Sequence, residues 1–411
     1  MDELITKIRQ MVLNEIDLSR EIPDNEIKEL ISSIVAKETK KTGISLKDRV
    51  WLEKNIFNSL RKLDVLQELV DDREVTEIMV NGPKNIFYEK AGRIHKYNGG
   101  FTSEDKMQDV IQQIVGKHNR VVNQSSPIVD TRLEDGSRVN IVLSPISIDG
   151  SAISIRKFPE KPMDMEKLIS INSLPREASE YLKTLVKAKY SIFISGGTGS
   201  GKTTFLNALS QYIPDDERII TIEDSAELQL LDAKNLVRLE TRNSNMEGVK
   251  AITIRDLIRS ALRMRPDRII VGECRGEEAL DMLSAMNTGH DGSLSTGHAN
   301  SSRDILSRLE TMVIMGKDLP LSAIRQQIAS GIDIIVQLGR LRDKSRKVLE
   351  IVELDGVENG EIKINPIYKF VENQSDVTMD KVNGELKKVG RLIHREKLLA
   401  AGLGGELKDE L

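Results

Sequence analysis

The chain has 411 residues, and 39% of them are apolar, enough to bury the cores of two or three domains. Its 60 Lys and Arg against 64 Asp and Glu give a net charge of -4, so no global basic field favours nucleic acid or an anionic membrane. The single cysteine, Cys274, excludes an intramolecular disulfide framework and indicates a reducing compartment. No apolar stretch approaches the roughly 18 residues of a spanning helix, so we expect a cytoplasmic protein.

The N-terminal part has helical hydrophobic periodicity. Apolar residues recur at helical spacing in MDELITKIRQMVLNEI, whose early acidic residues are unlike those of a signal peptide, and again in residues 27–35. SLKDRVWLEKNIFNSL follows, with Ser45 as the expected N-cap. We therefore predict an N-terminal helical bundle over residues 1–67.

Short apolar runs separated by turns follow the helices. They read EIMVNGPKNIFYEKAGRI and then SPIVDTRLEDGSRVNIVLSPISIDGSAISIRKF, in which Asp135-Gly136 and Asp149-Gly150 are typical of hairpins. One helical segment lies between the two runs. The pattern predicts an α+β domain over residues 68–158.

A proline-containing segment separates this domain from the rest of the chain. Residues 159–168, with Pro159 and Pro162, form the predicted linker. Strand and helix patterns alternate through residues 169–411, which predicts an α/β domain with a parallel sheet covered by helices. Two further strands around a turn at residues 358–360, and then a charged helical tail, are expected near the C-terminus.

A phosphate-binding loop is the strongest functional motif. Residues 196–203 read GGTGSGKT and fit GxxxxGK[ST], between a buried-strand pattern and a helical one. Glycines let backbone N–H groups converge on phosphate oxygens, Lys202 supplies positive charge, and the Thr203 hydroxyl holds Mg²⁺. This predicts binding of a magnesium nucleoside triphosphate; a glycine-rich turn that binds nothing is the alternative. The predicted cradle comprises Gly196, Gly197, Thr198, Gly199, Ser200, Gly201, Lys202, Thr203 and Thr204.

Two strand patterns end in carboxylates. RIITIEDSAEL ends in Glu223, Asp224 and Glu227, which can orient Mg²⁺ or water at the carboxyl end of a parallel strand; a solvated strand end is the alternative. PDRIIVGECRG ends in Gly272 and Glu273, where a generic P-loop ATPase has an aspartate. We therefore expect metal support from Asp224, or through water, and expect Glu273 to polarise the attacking water.

Two histidines lie among small residues in NTGHDGSLSTGHANS. The spacing of His290 and His298 does not match the i,i+4 pattern of a zinc site, and Cys274 has no second thiol to join it. We expect these imidazoles to sense the nucleotide or a neighbouring subunit, with a purely structural role as the alternative.

Three arginines in the α+β domain are candidates for neutralising charge on the γ-phosphoryl group. Arg132, Arg138 and Arg156 lie in its last strands, and a mobile guanidinium is suited to the charge that develops during hydrolysis. For any one of them, surface solubility is the alternative role. We predict that they include the arginine fingers.

Four blocks, in order, resemble those of the secretion-superfamily ATPases of type II and type IV secretion and type IV pilus assembly. GGTGSGKTT resembles the Walker A motif, TIEDSAEL the aspartate box, IIVGECRG the atypical Walker B motif and TGHDGSLSTGH the histidine box. The stretch from LRMRPDRIIVGECRG to SRLETMV looks most like the Flp/Tad pilus-assembly branch (CpaF-like). The resemblance implies that Glu227 and Glu273 are the catalytic carboxylates, His290 and His298 the histidine-box pair, and Arg138 and Arg156 arginine fingers.

The resemblance also implies an architecture and partners. It implies a PAS-like α+β domain before a RecA-like ATPase domain, ATP and Mg²⁺ as cofactors, and a homohexamer that works on an inner-membrane platform protein. We expect a motor, peripheral at the inner face of the membrane, that powers Flp/Tad pilus assembly or related secretion, without zinc. A RecA-like nucleic-acid translocase is one alternative, disfavoured by the charge and by 3% aromatic residues. A nucleotide-gated, non-catalytic scaffold is the other.

Overall fold

The structure, a computed structural model, describes residues 2–16, 20, 22–40, 43–117, 120–158, 162–242, 250–373, 378 and 380–407. The chain divides into two compact units, Met1–Glu160 and Lys161–Leu411. Residues 159–161 of the predicted linker lie outside the described residues, and a helix begins at Met165, inside the range predicted as linker. No helix in the described ranges is long and apolar enough to cross a membrane.

The first unit begins with helices. Their bounds are α1 Asp2–Glu15, α2 Asp24–Thr39, α3 Leu46–Arg61 and α4 Leu66–Asp71. Ser45 is the N-cap of α3, as the sequence predicts, because its side-chain oxygen accepts a hydrogen bond from the Asp48 N–H. Buried apolar side chains of α1, α2 and α3, among them Ile8, Ile31 and Ile56, form one core.

An antiparallel sheet completes the first unit. Its strands are β1 Val75–Asn81, β2 Ile86–Lys90, β3 Arg93–Lys96, β4 Ile128–Arg132, β5 Arg138–Val142 and β6 Ala152–Arg156, in the order β3-β2-β1-β6-β5-β4. Helix α5, Glu104–Gly116, packs against it and lies between the two runs of strands. Asp135-Gly136 lies in the β4–β5 turn, where Gly136 has a φ of 87°, a backbone angle that favours glycine.

The second unit is a nine-stranded sheet with helices. The strands are β7 Ile192–Gly196, β8 Arg218–Glu223, β9 Asn235–Glu240, β10 Arg268–Val271, β11 Leu294–Gly297, β12 Ile334–Arg340, β13 Arg346–Glu358, β14 Glu361–Glu372 and β15 Gly384–Lys388. The helices are α6 Met165–Ser170, α7 Arg176–Lys187, α8 Lys202–Ser210, α9 Ile254–Ala261, α10 Glu278–Met286, α11 Ser302–Gly316, α12 Leu321–Gly331 and α13 Glu396–Ala400. The sheet order is β15-β14-β13-β12-β7-β11-β10-β8-β9.

The strands from β12 to β9 in this order run parallel. Strands β7, β8, β10, β11 and most of β12 are buried on both faces, whereas the edge strand β9 is partly exposed. Strand β7 shows why its sequence is continuously apolar: Ile192 and Ile194 join the core that contains α7 and α8, whereas Phe193 joins the core that contains α10 and α11. Alternate side chains of a strand point to opposite faces, so a strand covered on both sides needs apolar residues at every position. The mixed α/β fold predicted for this unit is therefore present.

The C-terminal edge of the sheet is antiparallel. Strands β13 and β14 flank the predicted turn at residues 358–360. Where the structure describes the tail predicted to be helical, residues 380–407 form β15 and then the short helix α13. Strand β15 pairs with the edge of β14, with Leu386 opposite Phe370. The backbone N–H and C=O groups of β15 thus bond to β14, whereas in a helix they would bond to each other.

A buried ion pair secures the N-terminal end of β10. The fully buried Arg268 guanidinium binds the Glu217 carboxylate and donates to the backbone oxygens of Gly292 and Val186, at 3.1 and 2.8 Å. We expect Arg268→Met to lower the free energy of unfolding by about 3 kcal/mol, because Glu217 loses its main buried partner. Urea unfolding measures this change.

The control is Arg176→Met, which removes the exposed ion pair with Glu166. This change should leave the free energy of unfolding nearly unchanged, since solvent screens exposed pairs. If the two variants lost the same free energy of unfolding, the stabilising role that we assign to Arg268 would be wrong.

Candidate nucleotide-binding site

The phosphate loop connects β7 to α8. Gly199 and Gly201 have φ values of 70° and 94°, angles at which a larger residue is strained. A Cβ on Gly196 would lie 2.4 Å from Ser200 Oγ and 2.9 Å from the Leu338 oxygen, so this position also requires glycine. The loop therefore makes a tight turn directly before α8. The first N–H groups of this helix have no partner within the helix and are suited to bind an anion.

Lys202 is folded back over this loop. Its side chain is largely buried, and its Nζ donates to the Gly196 and Gly197 oxygens at 3.1 and 3.3 Å. The same Nζ lies 3.2 Å from His298 Nδ1, which brings the predicted Walker A lysine into contact with a predicted histidine. The Lys202 ammonium group therefore lies at the loop, in contact with backbone carbonyl oxygens and an imidazole nitrogen.

The aspartate-box segment borders the start of α8. Thr203 Oγ1 donates to Glu227 Oε2 at 3.4 Å. Glu223 Oε2 accepts hydrogen bonds from the N–H groups of Glu227 and Leu228 at 2.7 and 2.8 Å, which holds this segment in place. Burial raises the pKa of the Glu223 carboxyl group. Hydroxyl and carboxylate oxygens are the ligands that Mg²⁺ prefers, so the residues at this position fit a metal that is bound together with phosphates.

Glu223 also explains the missing Walker B aspartate. A Cβ on Gly272 would lie 2.9 Å from Glu223 Cγ, closer than Cβ atoms approach other atoms in proteins. The Glu223 side chain, at the end of the neighbouring strand β8, therefore fills the space that an aspartate at the end of β10 would need. The sequence shows the glycine, but only the strand order shows what replaces the side chain.

Glu273 lies between two cationic or protonatable groups. Its Oε1 is 2.6 Å from His298 Nε2, and its Oε2 accepts a hydrogen bond from Arg275 Nη2 at 2.6 Å. Arg275 Nη1 is also 3.8 Å from Asp224 Oδ2, so this arginine links the aspartate box to the Walker B segment. Sequence reasoning missed Arg275, although its position two residues after Glu273 in GECRG was a usable signal.

The two predicted histidines occupy different places. Burial lowers the pKa of His298, which favours the neutral form of its ring. His298 directly follows the last residue of β11, whereas His290 precedes that strand and its Nδ1 lies 3.2 Å from the Ala285 oxygen. Strand β11 spans about 13 Å at the usual rise per residue, so the structure does not bring the two imidazoles together.

The three candidate finger arginines form a row in the first unit. Arg132 on β4 pairs with Arg138 on β5, and Arg138 pairs with Arg156 on β6. Glu77 on β1 is the next residue across the sheet, opposite Arg156. The row places three guanidinium groups at one end of three adjacent strands, which the separate sequence positions did not reveal.

Cys274 is a core residue. Its thiol is buried, and burial raises its pKa, whereas a reactive cysteine needs a stabilised thiolate. Within the described ranges, no group of three or more His, Cys, Asp or Glu side chains could hold a metal ion by itself.

Fold and site together place the chain among the P-loop nucleotide-binding proteins. Residues 59–390 match the family described as type II/IV secretion system protein. The chain is 32% identical over 321 residues to the type IV secretion system protein PtlH of Bordetella pertussis, across 72% of this chain and 95% of PtlH. It is also 32% identical over 319 residues to the conjugal transfer protein TrbB of Rhizobium radiobacter, across 76% of this chain and 94% of TrbB.

A solved structure shows the same fold. The pilus retraction motor PilT with bound ADP matches with a TM-score of 0.52 and 19% identity, across 84% of this chain and 85% of PilT. The chain belongs to the type II/IV secretion system protein family, and the family assignment made from the four motifs is confirmed.

Proposed function

We propose that this protein hydrolyses ATP and converts the energy into movement that drives secretion or pilus assembly. The main support for this proposal is a pair of contacts that link Lys202 at the phosphate loop to His298, and His298 to Glu273 just after β10. It joins the predicted phosphate-binding charge to the predicted catalytic carboxylate. The names of PtlH, TrbB and PilT, which refer to secretion, conjugal transfer and pilus retraction, support a motor role.

The proposal includes the assembly and its setting. We infer a homohexamer at the inner face of the cell membrane, with a membrane-embedded platform protein as partner. The Flp/Tad branch is the one that the stretch from LRMRPDRIIVGECRG to SRLETMV resembles most. The predicted PAS-like and RecA-like domains correspond in this proposal to the sheet of the first unit and the sheet of the second.

Binding begins with Lys202. In the structure its Nζ contacts backbone carbonyl oxygens and an imidazole ring, and the β- and γ-phosphate oxygens, which carry negative charge, are stronger partners than these. The cradle from Gly196 to Thr204 supplies N–H donors to the same phosphates. Thr203 and Asp224 would hold Mg²⁺, which neutralises phosphate charge when it is bound.

Hydrolysis then requires a water molecule to attack the γ-phosphorus while the bond to the β-phosphate oxygen breaks. We propose that the Glu273 carboxylate orients this water and accepts its proton, and that Arg275 holds the carboxylate in position. Glu227 is the second catalytic carboxylate of the proposal, since it already accepts a hydrogen bond from Thr203.

The histidines are proposed to sense the nucleotide. When Lys202 moves to the phosphates, His298 loses its contact with Lys202 and can report the presence of the nucleotide to Glu273. His290 remains a predicted sensor of the nucleotide or of a neighbouring subunit.

The arginine row is proposed to supply the remaining charge. Arg132, Arg138 and Arg156 carry guanidinium groups of the kind that stabilise the charge on a γ-phosphoryl group during transfer. If they act on a site in another chain of the ring, neither a lone chain nor a ring lacking them can complete the reaction.

Phosphate release by purified protein tests the proposal. We expect turnover per chain to rise with protein concentration, because assembly completes the sites, with Lys202→Ala as the blank. Mixing Lys202→Ala protein with Arg138→Ala protein should restore part of the turnover, since each supplies what the other lacks. Turnover no higher than the blank at every concentration, with membranes added, would favour a scaffold. Stimulation by single-stranded DNA would favour a translocase.

A further inference from the structure

A pair of arginines lies beside the phosphate loop. Strand β12 runs parallel to β7, with Leu338 paired to Gly196, the first residue of the loop. Arg340 follows two residues later at the end of β12, and directly opposite it on β13 is Arg346. The register of the sheet therefore brings two cationic side chains, distant in sequence from the loop, to its edge.

Both side chains approach the glycines of the loop. Arg346 Nε donates to the Gly199 oxygen at 2.8 Å, and its Cδ lies 3.5 Å from where a Cβ on Gly201 would be. Arg340 Nη1 lies 3.8 Å from where a Cβ on Gly199 would be. The contact of Arg346 uses only one of its five N–H donors, which leaves the fork of the guanidinium available.

No carboxylate in the described part of the chain neutralises the charges of this pair. Among the described residues, neither Arg340 nor Arg346 forms an ion pair with a carboxylate, and both side chains are exposed. Arg342, in the turn between them, differs: its guanidinium binds the Glu372 carboxylate and the Thr378 and Lys381 oxygens. Arg342 therefore has a carboxylate partner, whereas Arg340 and Arg346, the two arginines at the loop, have none among the described residues.

Two like charges directly opposite each other on neighbouring strands repel, so this arrangement favours an anion between or beside them. Guanidinium groups bind phosphate oxygens through two parallel hydrogen bonds. We propose that Arg340 and Arg346 bind the phosphate groups of the nucleotide as a second cationic contact beside Lys202. This inference rests on the proposed function and assigns nucleotide-binding residues that the four sequence motifs do not contain.

The test is the dissociation constant of Mg-ATP, measured by titration calorimetry with the full chain. Arg340→Ala should weaken binding about tenfold or more, the loss expected for a charge-assisted hydrogen bond, and Arg346→Ala should do the same. Arg342→Ala is the matched control on the same hairpin and should bind as the unaltered protein does. Arg340→Ala is the decisive variant, because Arg340 makes no hydrogen bond to the loop whose loss could disorder it.

Salt dependence separates a phosphate contact from other effects. Removing a phosphate contact should reduce the weakening of ATP binding between low and high salt, since one screened interaction fewer remains. Unchanged affinity in Arg340→Ala, or lost affinity with unchanged salt dependence, would overturn the inference. If Arg340→Ala binds normally while Lys202→Ala does not, only this inference fails. If the unaltered protein does not bind Mg-ATP, the proposed function fails with it.

Discussion

Lys202→Ala is expected to weaken Mg-ATP binding about 100-fold or more and to abolish phosphate release. Lys202 is the one side chain of the cradle that carries a full positive charge, and it lies over the loop at the Gly196 and Gly197 oxygens. Alanine removes that charge but leaves the backbone of the loop and the strand before it. Calorimetry with Mg-ATP and a phosphate assay measure the two effects.

The matched control for this variant is Lys234→Ala. Lys234 is exposed and pairs with Asp215, and it directly precedes the edge strand β9, whereas the phosphate loop follows the central strand β7. It should bind and hydrolyse ATP as the unaltered protein does. Equal affinity of Lys202→Ala and Lys234→Ala would contradict the assignment of the loop as the nucleotide site.

Glu273→Gln is expected to keep Mg-ATP binding within about threefold and to lower turnover by about 100-fold or more, in the range of general-base catalysis. The amide has nearly the shape of the carboxylate, so packing against His298 and Arg275 changes little. It cannot accept the proton of the attacking water, however, and it no longer offers a negative charge to either neighbour. Binding and turnover measured on one preparation separate these effects.

Glu277→Gln serves as the control for Glu273→Gln. Glu277 lies four residues further along the chain, is half exposed and pairs with Arg255. Turnover of this variant should match that of the unaltered protein. If Glu273→Gln instead retained full turnover, Glu227 would become the leading carboxylate, and Thr203 would be its contact in the site.

Local patterns were enough to predict several elements of the fold and site. The phosphate loop, the strand before it and the helix after it follow from neighbouring residues, because glycine permits left-handed angles and apolar periodicity reports burial. The N-cap at Ser45 and the turn at Asp135-Gly136 are equally local. Local patterns were not enough for the C-terminal tail. Its charged sequence predicts a helix, yet part of it forms β15, because the edge of β14 offers unpaired backbone groups.

The sequence by itself determined that this chain has a P-loop motif followed by acidic strand ends and belongs with the type II/IV secretion system proteins. Only the tertiary structure decided which of these groups meet: Glu273 contacts His298, Glu223 fills the space beside Gly272, and Arg346 reaches Gly199. His290, by contrast, lies at the other end of β11. The physical reason is that strand order and register join residues far apart along the chain, whereas hydrophobic periodicity and glycine angles record only the backbone of each segment.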